Sequence, residues 1–94
     1  MEVTRLAQAR AYDAPKHFDV RTLRLQGHDA SEAQAFWVGL THFLPGGGAE
    51  MDSTPLEKVY VVLQGEVTVT TDQGEVTLHA LDSCRLAPGE ARSI

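Results

Sequence analysis

The sequence predicts an all-β domain, a sandwich or barrel of short antiparallel strands. Three observations carry that prediction. Runs rich in valine, threonine, leucine and aromatic residues recur along the chain. Glycine- or proline-bearing turns separate them about every 8–12 residues. Past residue 17 no stretch repeats its apolar residues at the spacing of an amphipathic helix.

Taken in order, the first 17 residues are mixed. Val3, Leu6 and the run from Ala9 to Ala11 suit either a short helix or an edge strand, and Pro15, lacking an N–H donor, closes the segment. From His17 to Gln26 the apolar Phe18, Val20, Leu23 and Leu25 alternate with Asp19, Arg21 and Arg24. The phase slips near Arg21 and Thr22, which predicts a bulge. Gly27 to Ala33 reads as a loop. Ala35 to Leu44 is aromatic and β-branched enough for a strand. Pro45-Gly46 is expected to stop it, making Gly46-Gly47-Gly48 a turn. Gly39 inside the run marks a bulge or a close backbone approach.

Leu56 to Leu63 is the clearest strand, turned by Gln64-Gly65 into Glu66 to Thr71. Asp72-Gln73-Gly74 is a turn, Glu75 to His79 the return strand and Ala80 to Asp82 another turn. Ser83 to Ala87 is a last short strand before Pro88-Gly89. Of the adjacent Phe36 and Trp37, opposite in aim, one is expected in the core and one at an interface.

Ninety-four residues make one small domain, and a chain of this size buries only about 60–65% of its unfolded surface. The net charge of −5 argues against nucleic acid or an anionic membrane as partner. One cysteine, Cys84, excludes an internal disulfide; its expected state is a small buried hydrophobe. No basic-then-apolar leader opens the chain, and no apolar run approaches the ~20 residues that span a bilayer, so a soluble cytoplasmic protein is expected.

Pro45-Gly-Gly-Gly48, then EKVYVVLQGEVTV from Glu57, then TLHALDSCRLAPGEARS from Thr77, resemble the two signature motifs of the cupins, small jelly-roll β-barrels. The resemblance covers roughly residues 36–94 and implies a single cupin-like domain. Cupins typically carry two closely spaced histidines and a glutamate seven positions before the hairpin glycine, here Gly65. A third histidine stands three residues after the glycine of the second motif, here Gly89. In this sequence the glutamate place holds Lys58 and the last histidine place Arg92, while the histidine pair falls among Met51, Asp52, Ser53 and Thr54. Lysine and arginine offer no lone pair at neutral pH, so the family's usual metal site is expected to be missing and no cofactor is implied.

Strand alternation sets Lys58 and Tyr60 on one face and Glu57, Val59, Val61 and Leu63 on the other. If Lys58 and Arg92 keep the inward aim of the residues they replace, they form a cationic pocket for a carboxylate or phosphate. Two alternatives stand beside it: Lys58 pairs with Glu50, Asp52 or Glu57 and closes the barrel mouth, or it acts as a base with a lowered pKa. His42, alternating with Leu40 and Leu44, is a further pocket candidate, or part of a relocated metal site with Asp52 or Glu57. His17, His28 and His79 lie in or near loops, and no two histidines have chelate spacing. The triple glycine lacks the G-K-[ST] of a phosphate loop.

The ligand-binding set read from the sequence is therefore His42, Lys58, Tyr60 and Arg92. Two functions follow: a metal-independent binder of a small organic anion, or an enzyme of isomerase, epimerase, decarboxylase or dioxygenase type relying on Lys58, His42 or a relocated metal. Cupins continue past the second motif with further strands. This sequence stops at Ile94, so the barrel is completed by a partner subunit, by the N-terminal segment, or, if the chain is a fragment, not at all. Since an unfinished sheet exposes an edge, a homodimer sharing strands is expected.

Overall fold

The structure, a computed structural model, describes residues 1–94. It is all-β. A single turn of 3₁₀ helix (Leu6–Gln8) precedes β1 (Arg10–Ala11), β2 (His17–Gln26), β3 (Val38–Ala49), β4 (Lys58–Val61), β5 (Glu66–Thr71), β6 (Gly74–His79) and β7 (Ser83–Leu86). The strands form a three-stranded sheet in the order β1-β2-β3 and two ladders, β4-β7 and β5-β6. No helix is long and apolar enough to cross a membrane. The chain divides into two compact units, Met1–Gly47 and Gly48–Ile94.

The C-terminal unit is one long hairpin. Asp52 pairs with Arg92, Lys58 with Leu86, Val61 with Ser83, Glu66 with His79 and Thr71 with Gly74, all antiparallel. As one partner advances along the chain the other retreats, so a single tip at Asp72-Gln73 closes every ladder. Outside them, the backbones of Ala49 and Ile94 exchange hydrogen bonds of 3.0 and 2.9 Å. The hairpin also meets itself: Thr70, near the tip, pairs with Ser93 at the open end. A hairpin coiled back on itself is the winding from which jelly rolls are built. Ala49, Val69, Leu78 and Leu86 are its buried apolar side chains.

Alternation along β4 and β7 separates two faces. Lys58 and Tyr60 stand opposite Leu86 and Cys84, and these four are buried or half-buried. Val59 and Val61 lie on the other face, 63% and 53% exposed, near the Glu57–Arg85 ion pair.

In the N-terminal unit Arg10 is opposite Arg24 and Ala11 opposite Leu23. Tyr12 extends the ladder: its N–H donates to the Thr22 carbonyl at 3.1 Å, and the buried Thr22 hydroxyl donates back to the Tyr12 carbonyl. The N-terminal residues, expected as helix or edge strand, make both in succession.

Three expectations need correction. The triple glycine is no turn: β3 runs through Pro45 to Ala49. Gly46 takes φ +82°, which bends the strand locally, and a Cβ on Gly47 would stand 2.1 Å from the Asp19 carbonyl oxygen. The glycines let β3 run against β2 at a separation that side chains forbid. Within β2, Asp19 takes φ +50°. Neither Phe36 nor Trp37 is core, at 61% and 38% exposure, because both lie in the irregular segment before β3. Cys84 is only half-buried, since β7 is paired on one edge alone.

Candidate functional site

The site is built on the inner face of the β4–β7 ladder and closed by the chain's last residues. Lys58 and Tyr60, two apart on β4, point the same way. Arg92 reaches them because its backbone pairs with Asp52, N to O at 3.0 Å in both directions. That pairing brings the second motif's last cation beside the first motif's strand.

Arg92 is 5% exposed. Its Nε donates to Tyr60 Oη at 2.7 Å and its Nη1 to the Asp52 carbonyl at 3.1 Å. A buried guanidinium demands such acceptors, because an unpaired buried cation is costly. Tyr60 uses its oxygen as acceptor here, which leaves its own hydroxyl proton for another group. Lys58 is half-buried, and its pKa lies below the ordinary lysine value. Burial is the main cause and the Arg92 charge the second, while Asp52 pulls it upward. Lys58, Arg92 and the Asp52 carboxylate therefore share one electrostatic environment. Cys84, opposite Tyr60, has its pKa raised chiefly by burial and also by the Glu90 charge, against a lowering backbone hydrogen bond at Tyr60.

Of the residues proposed from the sequence, Lys58, Tyr60 and Arg92 come together. His42 lies in the N-terminal unit, exposed on β3. Among the three acids offered as partners of Lys58, Asp52 is the one whose charge it feels, whereas Glu57 pairs with Arg85 and Glu50 is exposed. No three His, Cys, Asp or Glu side chains gather as a group suited to a metal ion. The Asp52 carbonyl was not legible, because a main-chain acceptor leaves no mark in a sequence. Cys84, expected as a small buried hydrophobe, stands on the same face, opposite Tyr60.

Apart from this cluster, a concavity of about 330 Å³ lies in the N-terminal unit, lined by Tyr12, Asp13, His17, Asp19 and Thr22 among others.

The lowered Lys58 pKa gives a signed pH dependence. Between its folded and unfolded pKa values the unfolded chain binds more protons, so stability rises with pH across that alkaline window. Below the window the full penalty of burying the ammonium is present. Urea midpoints should therefore rise from neutral pH toward lysine's ordinary pKa in the wild type relative to Lys58→Met. Parallel profiles for the two proteins would show that Lys58 pays no burial penalty.

Together the fold and this cluster define a coiled-hairpin β protein with a cationic inner face. No protein-family model matches the chain. The chain is 53% identical, over all 94 of its residues and 81% of the relative's length, to the Mycobacterium tuberculosis protein named Beta-D-galactosidase Rv1717. It belongs to the family of that protein.

Proposed function

We propose that this chain is a cupin-like small-molecule-binding protein that holds a small organic anion at Lys58, Tyr60 and Arg92. One observation carries the reading: a 5%-exposed arginine and a lysine of lowered pKa share one face with a tyrosine whose hydroxyl proton is still available. A carboxylate or phosphate entering there would gain charge-assisted hydrogen bonds and offset the repulsion between the two cations. The coiled hairpin and the order of its glycine motifs support the cupin likeness.

Isothermal titration with citrate, a compact anion without a ring, tests the site. Lys58→Met should weaken citrate binding by about tenfold or more. Equal affinity in the variant would exclude Lys58 from the site, and no binding by the wild type would end the reading.

A second reading, hydrolysis of a galactoside, is favoured by the relative's name and by one observation. Glycosidases generally flank the scissile bond with two carboxyl groups about 5–9.5 Å apart. The N-terminal cavity is lined by two, Asp13 and Asp19, with His17 beside them. Release of nitrophenol from 2-nitrophenyl β-D-galactoside should then fall by about a hundredfold or more in Asp13→Asn or Asp19→Asn, and change little in Lys58→Met. Unchanged turnover in both aspartate variants would remove those residues from any such reaction.

A further inference from the structure

Trp37 is placed at unusual steric cost for a side chain that remains 38% exposed. A Cβ on Gly27, whose φ is +78°, would stand 2.7 Å from Trp37 Cβ. A Cβ on Gly39 would stand 2.8 Å from Trp37 Cζ3 and 2.9 Å from Tyr12 Oη. Two glycines thus make room for one indole and the ring beside it, where alanine would force both to shift. The Tyr12 and Trp37 rings meet edge to face, perpendicular, with centroids 6.1 Å apart.

Arg24 fills the corner between them. Its guanidinium carbon is 3.8 Å from the Tyr12 centroid and 5.0 Å from that of Trp37. The shorter contact sets the guanidinium carbon over the Tyr12 ring, and a guanidinium's N–H donors lie in its own plane, at the edge. A second guanidinium stands on the same face of the sheet, because Arg10 is directly opposite Arg24 in the β1–β2 register. Like charges directly opposite are destabilising in a two-stranded ladder. The pair is only partly relieved by Asp29, 3.8 Å from Arg10 in an exposed contact.

We propose that this face of the N-terminal unit binds a ring-bearing anion. The ring lies on the part of the Trp37 indole that Tyr12, Arg24 and His28, whose centroid is 5.2 Å from that of Trp37, leave exposed, where the indole's negative face attracts C–H groups. The carboxylate or phosphate meets the in-plane donors of Arg24 and Arg10, which relieves their repulsion. The ligand class is a pyranose or other compact ring carrying one such group. This site is separate in chain and chemistry from the Lys58–Arg92 cluster, and it stands whether or not that cluster binds anything.

Trp37 is the chain's single tryptophan, so its fluorescence reports the site directly. The full chain is titrated with D-galacturonate, with D-galactose as the uncharged ring and acetate as the ringless anion. A saturable change in emission is expected with galacturonate, equal in the wild type and in Lys58→Met. Galactose and acetate should each bind about tenfold more weakly or worse, and Arg24→Gln should weaken galacturonate by about tenfold. Arg10→Gln, at a surface position, should weaken it too while leaving the fold intact, which covers the case of an Arg24 variant that does not fold. No saturable change up to about 50 mM galacturonate would overturn the proposal, since binding weaker than that is not recognition. So would a signal lost in Lys58→Met, which would assign it to the other cluster, or equal affinity for galactose, which would show the arginines uninvolved.

Discussion

Replacing Arg92 by methionine should destabilise the protein by about 3 kcal/mol, because a buried charge-assisted network loses its donor. The guanidinium is 5% exposed and donates to Tyr60 Oη and to the Asp52 carbonyl. Methionine fills much of the volume and supplies neither bond, so the half-buried Tyr60 hydroxyl loses its donor while the Asp52 carbonyl keeps only the main-chain N–H of residue 92. The same residue tethers the chain's last strand segment, whose backbone pairs with Asp52 and, one residue later, with Thr70. Loosening it opens the end of the coiled hairpin. Lys58 gives an independent reading: with the Arg92 charge gone, its second depressing influence disappears and its pKa should move up. Urea unfolding measures the first effect and NMR titration of the Lys58 side chain the second. A loss under about 1 kcal/mol would place Arg92 among ordinary surface contacts.

Gly47→Ala should cost a similar amount, about 3 kcal/mol, for a purely steric reason. A Cβ there would fall 2.1 Å from the Asp19 carbonyl oxygen and 2.9 Å from that of Leu44. Both obstacles are backbone, so no rotamer change relieves them, and β2 and β3 would have to move apart. Gly46 supplies the control. It has open space around the missing Cβ but a φ of +82°, so alanine there meets only the left-handed penalty, about 1–2 kcal/mol. Thermal unfolding of the two variants should rank Gly47→Ala below Gly46→Ala. The reverse order would mean that the close approach of the two strands is not needed for stability.

The C-terminal strands were nearly all legible. Val67 and Val69 alternate with threonines, Val76 and Leu78 answer them across the turn at Asp72-Gln73-Gly74, and β5 and β6 form where that pattern places them. Lys58 and Arg92 stand at fixed spacings from Gly65 and Gly89, and Tyr60 follows Lys58 by strand alternation. Gly39 suggests a bulge or a close backbone approach; what crowds it is two side chains, Trp37 and Tyr12, with the Leu23 carbonyl oxygen farther off at 3.7 Å. The glycine run misled, because three consecutive glycines look like a turn when only the local chain is considered. The opposing Asp19 backbone, 28 positions earlier, is what makes them part of a strand.

The sequence by itself determined the all-β class, most strand positions and the face on which Lys58 and Tyr60 stand. Those follow from side-chain alternation and turn chemistry, which act between neighbours along the chain. The tertiary structure alone decided that Asp52 pairs with Arg92, that Thr70 meets Ser93, and that Arg24 lies between two rings. Each depends on which distant backbones hydrogen-bond and how closely they approach. A period of two residues fixes the face on which a side chain emerges, and only long-range register fixes what it meets there.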